Sequence, residues 1–214
     1  MIISVTGLIG SGKDSIASYL IENYYFEKES FAGSLKDAAA AVFGWDRELV
    51  EGATRISREW REKIDPWWAE RLSIPHLTPR WVLQNWGTEV FRQHFHNDIW
   101  IASLENKLQH KEKNVVLTDS RFPNELKMVR EQAGSLLIRV KRGEDPTWFP
   151  LAQQANQGDQ KSKDELQNLG IHASEYSWVG ENFNLELPND GTLDELFSNI
   201  DSIMENLHLF KSQE

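Results

Sequence analysis

The chain has no cysteine among its 214 residues, so neither a disulfide framework nor a thiolate metal site is available to it. It also lacks a basic surplus: 23 Lys and Arg stand against 33 Asp and Glu, a net charge of −10, with the acidic residues scattered along the chain. A binder of nucleic-acid backbone needs a basic stripe, so that partner class is excluded. Small nucleotides are not, because a few local cations and backbone amides hold them. Nowhere do about 18 apolar residues run together as a membrane span requires. The start, MIISVTGLIG, has neither the basic region nor the apolar run of a secretory leader. The expectation is a cytoplasmic protein with no membrane partner, built as a single domain over 1–214.

What is there reads as alternating strands and helices. Ile2, Ile3, Ser4 and Val5 form a β-branched run closed by a glycine turn, and Ile16, Leu20 and Ile21 follow at helical spacing. Residues 25–31 fit a second strand and 36–43 an alanine-rich helix. Thr78-Pro79 is a helix start, with threonine as cap and proline in the first turn; Leu83, Trp86, Val90 and Phe91 then share one face. Another helix follows Asp98. Residues 115–117 and 136–140 read as strands around a helix from Glu125, 182–187 as a last strand, and 193–207 as a closing helix. This alternation predicts an α/β fold, a central parallel sheet of about five strands flanked by helices. Two stretches depart from it. Tryptophan-rich 45–80 has no single period and is expected as a helical insertion; 143–172, polar and broken by Pro146 and Pro150, is expected as a lid.

The strongest motif is Gly7-Leu8-Ile9-Gly10-Ser11-Gly12-Lys13-Asp14-Ser15, between the first strand and the first helix. Glycines let the backbone curl so that N–H groups point at phosphate oxygens, and the helix N-terminus adds its positive dipole end. Lys13 reaches the β- and γ-phosphates, and Ser15 serves the Mg²⁺ side. Asp14 stands where the general pattern has serine or threonine, so the metal-side assignment is open between Ser15 and Asp14. A plain turn joining strand to helix is the structural alternative; a P-loop for a nucleoside triphosphate is the better one.

Asp119 ends the third strand, where an acid orients Mg²⁺ through its water shell. Arg121 and Glu125 follow, giving the sheet's C-terminal edge, where ligands of open α/β sheets bind, a mixed-charge cluster. A surface ion pair is the plain alternative. Lys36 either contacts an acceptor phosphate or opens a helix in solvent. Gly87-Thr88 admits either a ligand or a packed neighbour. Arg80, Arg92, Arg139 and Arg142 are candidate phosphate clamps, since the guanidinium fork matches phosphate oxygens. Arg142 stands where the fourth strand gives way to the lid, whereas Arg92 and Arg139 read better as surface ion pairs. Trp100 stacks on a base or fills core. His172 and Glu175 cover the site or start a helix, and the remaining histidines, His94 and His96 included, form no metal-ligand set with neighbouring acids.

Taken together, these pieces resemble the phage-type deoxynucleoside monophosphate kinases. The resemblance rests on residues 7–15, Ala-Gly-Ser-Leu-Lys-Asp-Ala at 32–38, Leu-Gln-Asn-Trp-Gly-Thr-Glu at 83–89, Asp-Ile-Trp at 98–100, Asp119-Ser120-Arg121 with Glu125, and Asn-Asp-Gly-Thr-Leu-Asp-Glu-Leu at 189–196. It implies a P-loop kinase fold and ATP-dependent phosphorylation of a deoxynucleoside monophosphate, with ATP and Mg²⁺ as cofactors. By position it implies Gly10, Ser11, Gly12, Lys13, Asp14 and Ser15 on ATP, and Lys36, Gly87, Thr88, Trp100 and Arg121 around the acceptor. Asp119 lies between the two. Arg142 joins the ATP candidates, Arg80 and Glu125 the acceptor candidates, and Lys13, Asp119 and Arg121 the candidates for catalysis. Dephospho-coenzyme A kinases share a very similar first loop, and a non-catalytic nucleotide-binding protein is a further alternative. Homodimerisation stays open.

Overall fold

The apolar run at the start of the chain becomes the centre of a parallel sheet. The computed structural model describes residues 1–211. Its strands β1 (Ile2–Thr6), β2 (Glu27–Glu29), β3 (Val115–Leu117), β4 (Leu136–Lys141) and β5 (Leu185–Pro188) lie in the order β2-β3-β1-β4-β5. All pairings are parallel, with Ile3 beside Val116 and Val5 beside Ile138. Every residue of β1 is buried, as in a strand covered on both faces. The five-stranded α/β architecture is the expected one. β2 is shorter than 25–31 because Tyr25 turns left-handed, φ 57°, to end the preceding helix.

By contacts the chain divides into two compact units, Met1–Ser30 with the chain from Lys111 onward, and Phe31–His110. The first holds the whole sheet. Helix α1 (Lys13–Tyr24) buries Ile16, Ala17 and Leu20 in one apolar cluster with Val5, Ile138, Val140 and Leu187 of the sheet.

The second unit is helical: α2 (Gly33–Phe43), α3 (Arg47–Glu51), α4 (Arg55–Arg61), α5 (Pro66–Leu72), α6 (Pro79–Gln84), π-helical turns over Asn85–Phe95, and α7 (Ile99–Leu108). Asp46, Thr54, Asp65 and Thr78 each accept a backbone N–H at a helix start, which is how so short a series of helices is held. Phe43, Trp45, Val50, Leu77 and Val82 form its core, with Trp60, Trp68, Trp81 and Trp86 packed on it. Buried indoles keep their N–H satisfied: Trp45 donates to Asp65 at 2.8 Å and Trp68 to the Phe43 carbonyl at 3.0 Å. This unit is wider than 45–80, and the helix expected from Thr78 opens into π turns after Gln84, with the His96 N–H reaching back to Phe91.

Returning to the first unit, α8 (Pro123–Glu131) follows β3. The stretch 143–172 contains two helices, α9 (Phe149–Asn156) and α10 (Gln160–Asn168), followed by α11 (Ala173–Tyr176) and, after β5, α12 (Leu193–Asn206). Composition concealed α9 and α10, since only Phe149, Ala152, Ala155 and Leu166 supply their apolar contacts. α12 starts as expected, with Thr192 and Glu195 capping each other, and adds Leu196, Ile200 and Met204 to the α1 cluster. Among the described residues no helix is long and apolar enough to cross a membrane.

Leu20 is fully buried between α1 and the sheet. Leu20→Ala is expected to lower the unfolding free energy by about 2–5 kcal/mol, read as an earlier urea midpoint at unchanged slope. A shift below about 0.5 kcal/mol, the scale of an ordinary surface substitution, would contradict the assignment of this face as core.

Candidate active site

The loop after β1 is shaped by what it lies against. A Cβ at Gly7 would overlap the Val140 carbonyl oxygen, and one at Gly12, φ 106°, would overlap the Asn189 side-chain amide. Only glycine admits this approach, and Gly10, φ 79°, supplies a third turn of the backbone. Within the curl, the Ser11 hydroxyl is buried with no hydrogen-bond partner among the described residues. Such an orphaned donor beside a glycine cradle fits a phosphate oxygen.

Lys13 opens α1 and folds back over the loop, its Nζ donating to the Gly7 carbonyl at 3.0 Å and to Leu8 at 2.7 Å. Burial, reinforced by the Arg121 charge, pulls its pKa down to about 8, against the opposing pull of Asp14 and Glu175. Ser15 is half-buried in the first helical turn. The Asp14 carboxylate turns outward to an exposed ion pair with Lys28 at 3.2 Å, leaving Ser15 the better placed of the two for a metal's water shell.

At the C-terminal end of β3, a set of short hydrogen bonds fixes the next residues. Asp119 accepts from Ser30 at 2.6 Å. Ser120 is buried, its hydroxyl 2.6 Å from that of Ser4 on β1. Glu125, buried at the start of α8, accepts the backbone N–H of Arg121 at 2.6 Å and of Phe122 at 3.0 Å. It therefore holds the turn that carries Arg121, and the exposed Arg121 side chain points its charge into the field of Lys13.

Lys13, Ser120 and Arg121 line one cleft with Gly7, Leu8, Ile9, Thr118, Ser174, Glu175 and Trp178. Glu175, one of two residues for which the sequence left cover and helix start open, faces the loop. His172 caps α11 through the Ser174 N–H. Arg139 is no surface pair. Its guanidinium is mostly buried, bound to Glu186 and Asp145 at 2.7 Å each and stacked over Phe149 and Trp178, so it anchors the base of the stretch 143–172. Arg142 is exposed immediately before Gly143, whose N–H donates to Asp190 at 2.6 Å.

The other acceptor candidates belong to the second unit. Lys36 pairs with Glu51 at 2.7 Å, and Glu51 also binds Arg47 at 2.7 Å. Burial raises the Glu51 carboxyl, but these two cations together bring it below the usual range. Arg80 lies 3.3 Å from Glu62. Gly87 is explained by packing, since a Cβ there would crowd Leu35 at 2.9 Å. Its carbonyl accepts the indole N–H of Trp100 at 2.9 Å, and Trp100 is buried against Phe91. Thr88 is half-buried beside it. Arg92, expected at the surface, is buried and donates to the Asn97 carbonyl at 3.2 Å.

Sequence reasoning missed Ser30, Ser120, Asn189 and Trp178 as parts of the site. Ser120 and Asn189 had a visible signal, as members of the Asp119-Ser120-Arg121 segment and of the Asn-Asp-Gly run after an expected strand. Among the described residues no group of three or more His, Asp or Glu could hold a metal. Mg²⁺ in phosphoryl transfer leans on phosphates and water as well as one or two side chains, so it needs no such three-residue group.

Two expected outcomes follow from this geometry. Lys13 should be acylated by an amine-reactive reagent near pH 8 ahead of an exposed lysine such as Lys161, because the ordinary lysine value is about 10.4; equal rates in a mass-spectrometric map would contradict its lowered pKa. Glu125→Ala should cost about 1 kcal/mol by removing the acceptor of two partly buried N–H groups, whereas Glu125→Gln keeps an acceptor oxygen and costs less. Equal losses in thermal unfolding would rule out the acceptor role.

No family model matches the chain. It is 29% identical over 220 residues to a protein of Acanthamoeba polyphaga mimivirus named "Putative deoxynucleotide monophosphate kinase", covering 96% of this chain and 97% of that one. It is 42% identical over 69 residues to the deoxynucleoside-5'-monophosphate kinase of Escherichia phage T5, covering 30% and 28%. Among solved structures, the shikimate kinase of Aquifex aeolicus is similar at 13% identity and a TM-score of 0.47, covering 96% of this chain and 97% of that one. A sugar kinase from Janibacter has 12% identity and a TM-score of 0.45, covering 95% and 94%. The resemblance that the motifs carry to the phage-type deoxynucleoside monophosphate kinases is met again in these viral and phage relatives.

Proposed function

We propose that the chain transfers the γ-phosphoryl group of ATP to a deoxynucleoside monophosphate, giving the diphosphate and ADP. The observation that carries this is the cleft that Gly7, Lys13 and Arg121 line together, at the loop whose curl holds the orphaned Ser11 hydroxyl. The relatives' names supply the acceptor class.

The acceptor's phosphate oxygen is already ionised near neutral pH, its second pKa being about 6, so no dedicated general base is required. What the chain must supply is position and charge. Loop amides and Lys13 hold the β- and γ-phosphates, and Arg121 offsets negative charge that spreads on the transferred group. Ser15 and Asp119 would hold Mg²⁺ through its water shell, and the ion would neutralise phosphate charge there. Ser30 keeps the Asp119 carboxylate turned in one direction.

On this reading residues 1–214 form one kinase domain, with 45–80 as the acceptor-side insertion and 143–172 as the lid. Ser174, Glu175 and Trp178, which follow the lid, exclude water from the loop. Gly10, Gly12, Asp14 and Arg142 serve ATP, and Lys36, Arg80 and Thr88 serve the acceptor, with Gly87 and Trp100 contributing through the packing of the second unit and Glu125 by placing Arg121. The nucleotide pools it draws on are cytoplasmic.

ADP release coupled to a reporter enzyme, run across deoxynucleotides, ribonucleotides and dephospho-coenzyme A, tests the proposal. Deoxynucleoside monophosphates should give the highest kcat/KM. Release with dephospho-coenzyme A alone, or ATP binding with no acceptor-dependent release, would refute it. Lys13→Ala should cut kcat by about 10²–10³, as loss of a main transition-state donor does, with an unchanged melting temperature.

A further inference from the structure

We infer that Asn189 is the positioning residue that holds the phosphate loop in its nucleotide-binding shape. The inference rests on the nucleotide reading of that loop, and assigns a role to a residue 178 positions from the loop residue it contacts.

Asn189 follows β5 directly and is buried, 7% exposed. Its own N–H donates to the Lys141 carbonyl at 2.7 Å, so it stays in register with the end of β4. The next residue, Asp190, accepts the Gly143 N–H at 2.6 Å. Fastened at both points, the Asn189 side chain reaches the loop from a rigid base. Its Nδ2 donates to the Ser11 carbonyl at 2.8 Å, and the amide sits so close to Gly12 that no Cβ fits between them.

The consequence follows from the geometry of a peptide unit. The group joining Ser11 to Gly12 is planar and trans, so its carbonyl and its N–H point in opposite directions. With the carbonyl drawn onto Asn189, the Gly12 N–H is turned away from Asn189. That is the orientation a phosphate oxygen requires at a helix N-terminus. Glycine on the far side of this unit imposes little preference of its own, because it adopts positive and negative φ about equally well. Without the Asn189 hydrogen bond the unit is free to rotate, and nucleotide binding must order it at the expense of affinity. Asn189 touches neither the acceptor nor the transferred group in this account, so its effect falls on ATP.

The test uses the full-length protein with Asn189→Ala and Asn189→Asp, measuring MgATP binding by calorimetry beside steady-state kinetics. Asn189→Ala should weaken ATP binding about tenfold, the scale of one buried hydrogen bond, while the acceptor KM stays within about twofold and kcat at saturating ATP is kept. Asn189→Asp preserves volume but cannot donate while ionised and sets oxygen against oxygen. Its ATP-affinity deficit relative to wild type should shrink from about pH 8 to about pH 5.5 as the carboxyl nears protonation, with the acceptor KM unchanged over that range, whereas a general folding defect would move both. Wild-type ATP affinity in both variants overturns the inference, as does an acceptor KM that rises as much as that for ATP. Failure of the wild-type protein itself to bind ATP is a different result, and overturns the nucleotide reading along with it.

Discussion

The closeness of the loop after β1 to the ends of β4 and β5 is the constraint on which the site depends. Gly7 lies on the Val140 carbonyl and Gly12 on the Asn189 amide with no room for a side chain at either place. Because β4 pairs with both β1 and β5, the strand that launches the loop and the strand that braces it belong to one hydrogen-bonded frame. A flexible sequence thus acquires one backbone path. Lys13 can then turn back over the carbonyls of Gly7 and Leu8 instead of extending into solvent.

Most charged groups near this frame act on one another before they act on any ligand. Glu125 spends its carboxylate on the two N–H groups that shape the Arg121 turn. Ser30 orients Asp119, and Arg139 ties Asp145 and Glu186 beneath two aromatic rings. This leaves Lys13 and Arg121 as the positive groups lining the cleft, and their proximity, together with burial, is what lowers the Lys13 pKa. Two cations in one cleft, offset there by the single carboxylate of Glu175, favour a bound anion.

How much of this was legible depended on whether a feature is local. The strand, loop and helix over residues 2–24 are written in consecutive residues, as are Thr78-Pro79 and the caps of α12, and these appear where expected. α9 and α10 escaped because each is short and they bury only three apolar residues and one, too few for a period to show against glutamine and lysine. The π turns after Gln84 escaped because nothing in Asn-Trp-Gly-Thr announces a wider helix. Gly87 and Trp100 were open in the sequence between ligand and packing, and Arg92 read as a surface pair; what decides them is Leu35, Phe91 and the Asn97 carbonyl. Ser4 with Ser120, and Ser11 with Asn189, are pairs more than 100 positions apart, and no reading along the chain joins them.

The two outer strands have a consequence for how the molecule behaves at high concentration. β2 is three residues long and reads Glu-Lys-Glu, with Lys111 spanning both glutamates and Lys113 bound to one of them. β5 is four residues long and ends in Pro188, which has no N–H to offer. A short charged strand at one margin and a proline-stopped one at the other give an incoming chain little backbone to pair with, so the sheet is closed to growth by strand addition. Association between copies, where it occurs, has to run through side-chain surfaces, and unfolding of the margins, more than the folded protein itself, would be the route to aggregation.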